Sequence, residues 1–185
     1  QELRARMERE PVLFVHRELE ALLDQARAEL ATFVGCQSDD LAFVPNATTG
    51  VNTVLRSLRL QPGDELLTTD HEYNACRNVL DYVAQLWGAR VVTATVPFPL
   101  RDPQQITDAV LDAVTSRTRL VLLDHITSPT DIVQPIGPLV HSLRDRGIET
   151  LVDGAHGPGM VPLALQSLGV AYYTGNCHKW LCTPK

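Results

Sequence analysis

The sequence predicts an α/β protein, a three-layer α/β/α arrangement around a mostly parallel sheet. Three observations lead there. Between residues 41 and 175, short apolar runs of strand length alternate with helix-length segments. Those runs are nearly continuous in Val, Leu and Ile, as strands are when helices cover both faces of a sheet. Polar and titratable residues cluster directly after the runs, where open α/β sheets bind their ligands.

The elements follow in order. Between Val12 and Val34, Val15, Leu19, Leu22, Leu23, Ala26, Leu30 and Phe33 recur at helical steps of three and four. "LAFV" (41–44) reads as a short strand. "TTGVNTVLRSLRL" reads as a helix entered through Asn46, with "QPGD" as the turn after it. Strands are predicted at 65–69, 90–96, 119–124, 149–153 and 171–175, and helices at 74–87 and 136–146. Asp102 caps a further helix that has Pro103 in its first turn and runs to Val114. No helix is read after the last strand.

The bulk numbers exclude some classes of function. The 185 residues, 44% hydrophobic and 21% charged, suit one soluble domain with a sizeable core. A formal net charge of -6 argues against nucleic acid or an anionic membrane as a partner. No apolar run reaches bilayer length and no signal peptide is visible, so no membrane association is expected. The four cysteines (Cys36, Cys76, Cys177 and Cys182) read as reduced thiols, which suits a cytoplasmic location. Cys177, His178 and Cys182 have irregular spacing and no completing cluster, so no metal site is expected.

The chemistry gathers after the strands, in "PNATTG", "DHEYNA", "DHITSPT", "DGAHGPG" and "GNCHKW". Asn46 to Gly50 opens a helix with free N–H groups beside the Thr48 and Thr49 hydroxyls. That suits a phosphate as well as an ordinary cap. There is no Gly-x-Gly-x-x-Gly and no Walker pattern, so a dinucleotide or nucleoside triphosphate lacks its fingerprint. Asp153 ends an apolar run before a glycine-rich turn, where it meets a buried cation or simply forms the turn. His156 reaches the same ligand or is a solvated loop histidine. Lys179 decides between these readings. A lysine in a partly closed pocket is a nucleophile that forms imines with carbonyls. A phosphate site, an acid for a pyridinium nitrogen and an imine-forming lysine are together what pyridoxal 5′-phosphate requires.

The motifs "FVPNATTGVNTVL", "DHEYNAC", "DHITSPT", "VDGAHGPG" and "GNCHKWLCTPK" make the sequence resemble the fold-type I pyridoxal-phosphate enzymes of the class V aminotransferase group, in particular the isopenicillin N epimerase-like subfamily. The resemblance implies a role for each matching residue. Lys179 would hold the cofactor as an imine and act as general base once released. Asp153 would pair with the pyridinium nitrogen. Ala47 (through its backbone), Thr48, Asn176 and His178 would hold the phosphate, with Thr49 as a weaker candidate. His71 would stack on the ring and move a proton. His156 would sit near the ring's phenolic oxygen, with Ser128 on the same side. His125 reads as a core histidine satisfied by backbone, Trp180 as packing, and Glu72 and Tyr73 as residues that shape the loop.

The implied substrate is a small amino acid or derivative that loses its α-proton, and the implied assembly is a homodimer. Epimerisation, carbon–sulfur lysis and transamination share that step, so a carbon–sulfur lyase or a cysteine desulfurase-like enzyme is the alternative. None of the four cysteines sits where a desulfurase carries its nucleophile. A non-catalytic fragment or binding module is the alternative of another class. Family members continue into a C-terminal small domain. The expectation is therefore a partial large domain, with a helical segment at 1–34, a cofactor-binding core at 35–185 and the small domain absent.

Overall fold

The computed structural model describes residues 1–184. The chain forms two compact units, Gln1–Phe43 and a second beginning at Val44. In the first, helix α1 (Glu2–Arg9) ends at Glu10, and Pro11 opens α2 (Pro11–Leu13). Proline suits a first helical position because its missing N–H would have no partner there. A π-helical stretch (Phe14–Glu18) then leads into α3 (Leu19–Val34), which Gly35 closes in the left-handed conformation at φ 70°. The predicted helix over 12–34 is therefore present, with a wider turn inside it.

The second unit carries a parallel five-stranded sheet of β1 (Glu65–Thr69), β2 (Arg90–Ala94), β3 (Thr118–Asp124), β4 (Glu149–Gly154) and β5 (Tyr172–Gly175), in the order β2-β1-β3-β4-β5. The strand read at 41–44 does not form. Its Phe43 and Val44 are exposed, so the run lacks the two-sided burial that marks the strands of the sheet.

Side chains alternate across the sheet and build a core on each face. Leu67, Val121, Leu123 and Val152 pack with Ile106 and Val110 of α6 (Gln104–Asp112) and with Ile136, Leu139, Val140 and Leu143 of α7 (Ile136–Asp145). Leu66, Leu120, Leu122 and Leu151 pack with Val51 and Leu55 of α4 (Ala47–Ser57) and with Val79, Leu80 and Val83 of α5 (Asn74–Trp87). Each of these strand leucines is at most 1% exposed. Truncating any one to Ala would cost about 2–5 kcal/mol. A short α8 (Leu165–Leu168) precedes β5, and α9 (Cys177–Trp180) follows it, although no helix was read there. This core fixes the carboxyl ends of β1, β3, β4 and β5 side by side.

Candidate active site

Three groups of side chains meet along that rim. The first surrounds the start of α4. Asn46 caps the helix, its Oδ1 accepting from the Thr49 N–H at 2.8 Å and from the Thr49 hydroxyl at 3.1 Å. The Ala47 N–H donates to Oδ1 of Asn176, at the end of β5, at 2.8 Å. The Gly50 N–H donates to the Asn46 carbonyl. Among the described residues, that leaves the Thr48 N–H as the first-turn donor with no protein acceptor. Ala47, Thr48, Thr49 and Asn176 thus converge as the sequence suggested, but Ala47 and Thr49 already have partners. His178 is half-buried in α9.

The second group is acidic. Asp124 and Asp153 are register partners at the ends of neighbouring strands, and both are buried. The Ala155 N–H donates to Asp153 Oδ1 at 2.9 Å, and the Cys76 thiol donates to Oδ2 at 3.2 Å. Glu72, also buried, accepts from the Thr68 hydroxyl at 3.0 Å through Oε2. Among the described residues, its Oε1 has no partner, and neither has Oδ2 of Asp124. Donor atoms of Glu72, Cys76 and Asp153 all lie within 4.8 Å of one another. Burial, and then repulsion among the carboxylates, pushes Glu72 and Asp124 well above the usual carboxylate range. Burial, followed by the Asp153 charge, likewise raises the Cys76 thiol. Sequence reasoning gave Glu72 only a loop role and did not single out Asp124 or Cys76. Asp124 did carry a signal, because "VLLD" repeats the apolar-run-then-acid pattern of "TLVD".

The third group joins the glycine turn to α9. The Lys179 Nζ lies 2.9 Å from His156 Nε2, and the Trp180 indole N–H donates to His156 Nδ1 at 3.1 Å. Trp180 therefore has a polar contact that the packing role did not foresee. The turn fits closely against its neighbours. A Cβ on Gly154 would fall 2.2 Å from the Tyr173 ring. Gly159, at φ 89°, would place one 2.7 Å from the Trp180 carbonyl oxygen.

His71 is buried after β1, with Nδ1 2.8 Å from the Thr130 hydroxyl and Nε2 3.4 Å from the Val96 carbonyl. Thr130 is a partner that sequence reasoning missed, although it lies in the flagged "DHITSPT" segment. Ser128 is exposed in the same turn and makes no hydrogen bond to the other candidates among the described residues. His125 is satisfied at Nδ1 by the Tyr173 hydroxyl at 2.9 Å, rather than by backbone. Burial lowers the His125 pKa and raises that of Tyr173.

A parallel sheet of order 2-1-3-4-5 with a lysine, a buried acid and an open helix start along one rim defines the protein as a doubly wound α/β protein with its candidate site at the carboxyl ends of the strands. Residues 5–185 match the family model described as aminotransferase class-V, and the chain belongs to that family. It is 41% identical over 181 residues to isopenicillin N epimerase of Streptomyces clavuligerus, which covers 98% of this chain and 46% of that protein. It is 25% identical over 162 residues to hercynylcysteine sulfoxide lyase of Schizosaccharomyces pombe, covering 88% of this chain and 41% of that one. The cystine C–S lyase C-DES, solved with its reaction product cysteine persulfide, matches with a TM-score of 0.90 at 26% identity, over 98% of this chain and 49% of that chain. The chain thus spans about half the length of the curated relatives it matches. No helix among the described residues is long and apolar enough to cross a membrane.

Proposed function

We propose that this chain carries the cofactor-holding part of a pyridoxal 5′-phosphate-dependent enzyme that removes a proton from the α-carbon of an amino acid or its derivative, in the manner of isopenicillin N epimerase. The observation that carries this reading is the meeting of Lys179, the buried Asp153 and the α4 start along one rim. The residues fit the cofactor. Unpartnered Glu72 Oε1 and Asp124 Oδ2 beside Asp153 suit a ring whose nitrogen bears a proton, and the free Thr48 N–H suits a phosphate oxygen.

When bound, pyridoxal phosphate supplies an electron sink that makes an α-proton removable. The chain's own residues would do the rest. Asp153 would accept the ring N–H and keep that proton in place. Thr48 and Asn176 would hold the phosphate with His178 beside it, while the Ala47 amide, which donates to Asn176, and Thr49 would brace the turn. His71 would offer its flat face, since both its nitrogens are already engaged. His156 and Ser128 would border the ring on the side of the glycine turn. Lys179 would hold the cofactor covalently. Once displaced by the substrate amine, its Nζ would take the α-proton and return it. Epimerisation also needs a second proton donor on the other face of the α-carbon.

Carbon–sulfur lysis is the second reading. The 0.90 TM-score to a cystine C–S lyase and the match to a sulfoxide lyase favour it, and its first proton transfer is the same. The enzyme would work as a cytoplasmic homodimer on a small amino-acid-type substrate.

Borohydride reduction of the full chain with pyridoxal phosphate, followed by peptide mass mapping, tests the core of this reading. A phosphopyridoxyl mass on the Lys179 peptide alone is expected. A folded chain with no adduct there contradicts it. Solvent-deuterium exchange at the α-carbon without loss of a β-substituent would then support epimerisation. Release of a sulfur product would support lysis.

A further inference from the structure

The carboxylate of Asp153, at the end of β4, is held from two sides. The Ala155 N–H, two residues on in the glycine turn, donates to Oδ1 at 2.9 Å. The Cys76 thiol, 77 positions away in sequence and in the first turn of α5, donates to Oδ2 at 3.2 Å. Among the described residues, these are the donors that reach the Asp153 carboxyl. The two bonds differ in kind. The amide belongs to the same turn as Asp153 and follows its movements. The thiol belongs to a helix packed on the leucine-lined face of the sheet, where Cys76 is 0% exposed among Leu55, Leu66, Leu80 and Leu151. With one oxygen bound to each donor, the carboxylate cannot rotate about Cβ–Cγ without breaking a bond. We propose that Cys76 is a positioning residue for Asp153, its thiol fixing the carboxylate plane in which Asp153 would meet the ring N–H of the cofactor.

The surroundings agree with this assignment. The backbone at Asp153 is already fixed. Asp153 is the register partner of Asp124, its carbonyl accepts from the His125 N–H at 2.8 Å, and Gly154 backs onto the Tyr173 ring. The freedom that remains is in the side chain, and the thiol removes it. An alanine at position 76 would fill the same apolar pocket but supply no donor, and a buried carboxylate oxygen is costly to leave without one. Burial, followed by the Asp153 charge, raises the Cys76 thiol, so the sulfur keeps the proton it donates. Glu72 has an oxygen within 4.8 Å of both residues, but its own hydrogen bond goes to the Thr68 hydroxyl.

The role toward the ring rests on the pyridoxal phosphate reading proposed above, whereas the hydrogen bond does not. Infrared spectra of the full chain without cofactor, read in the S–H stretching region, test the bond. The wild type should show one S–H band at lower frequency than those of its other thiols, absent from Cys76→Ala and moved upward in Asp153→Asn. The second measurement compares the binding of pyridoxal phosphate with that of an analogue carrying CH in place of the ring nitrogen. Cys76→Ala should weaken pyridoxal phosphate roughly three- to tenfold and leave the affinity of the analogue unchanged. A merely packing cysteine would weaken both alike. A wild type with no lowered band, or a band that stays in place in Asp153→Asn, overturns the proposal even if Cys76→Ala fails to fold. So does a folded Cys76→Ala that binds both compounds as the wild type does, or both more weakly by the same factor. A wild type that shows the lowered band but binds neither compound overturns the cofactor reading and, with it, the role toward the ring.

Discussion

The two ends of the same sheet treat acidic side chains in opposite ways. At the amino end of β1, Glu65 is 2% exposed but accepts from Arg90 at 2.6 Å and from the Thr115 hydroxyl, with Arg117 nearby. Its neighbour Asp64 accepts from Arg119 at 2.8 Å and from the Gln61 N–H, also at 2.8 Å. The Thr115 hydroxyl, then the arginines, holds Glu65 below the usual carboxylate range, and the Gln61 N–H, then Arg119, does the same for Asp64, both against burial. At the carboxyl end, Glu72, Asp124 and Asp153 are buried against one another with oxygens left over. Native proteins rarely leave buried oxygens unpaired, and perturbed acids of this kind gather where a ligand is to be met. The amino end pairs its buried acids, and the carboxyl end leaves Glu72 and Asp124 with unpaired oxygens and raised pKa values.

The largest effect should come from removing the lysine at the carboxyl end. Lys179→Ala should lower α-proton exchange by roughly 10³-fold. Its thermal stability should change little, because half-buried Lys179 contributes little to the core. Equal losses of activity and stability would mean that the residue is structural.

Next comes the opposite end. Glu65→Gln should destabilise the fold by about 1–3 kcal/mol, toward the lower value because its arginines are more than half exposed. A carboxyl held low in the folded state adds stability that is present above the ordinary glutamate value and lost as pH falls through the lowered folded value. Denaturant melts across acid pH should therefore show a steep acid limb in the wild type and a flatter one in the variant.

The smallest effect reverses that sign. A carboxyl raised in the folded state adds stability that is full below the ordinary glutamate value and lost as pH rises through the folded value. Without cofactor, Glu72→Gln should match the wild type at acid pH and gain about 1 kcal/mol at alkaline pH. Destabilisation by this substitution at every pH would give Glu72 the same kind of role as Glu65.

Sequence reading reached the two ends unequally. The strands at 65–69, 119–124 and 149–153 were legible because two-sided burial writes them as apolar runs. The run at 41–44 carried the same local signal but formed no strand, and its Phe43 and Val44 stay exposed instead of being buried on two sides. The residues after the strands were legible as a rim, and Ala47 with Asn176 converged from opposite parts of the chain. The burial of Glu72 and Asp124 was not legible, since it depends on how α5 closes over the sheet. Nor were the partners of His125 and Trp180, which lie 48 and 24 positions away. Side chains paired across such separations leave no periodic trace.

Infrared spectroscopy of the cofactor-free full chain at neutral pH tests the contrast between the two ends most directly, because a protonated carboxyl has its own carbonyl stretching band. A protonated-carboxyl band should be present in the wild type, persist in Glu65→Gln and disappear when Glu72→Gln and Asp124→Asn are combined. A wild-type spectrum showing only ionised carboxylates, or a band that survives the double substitution, would contradict the account.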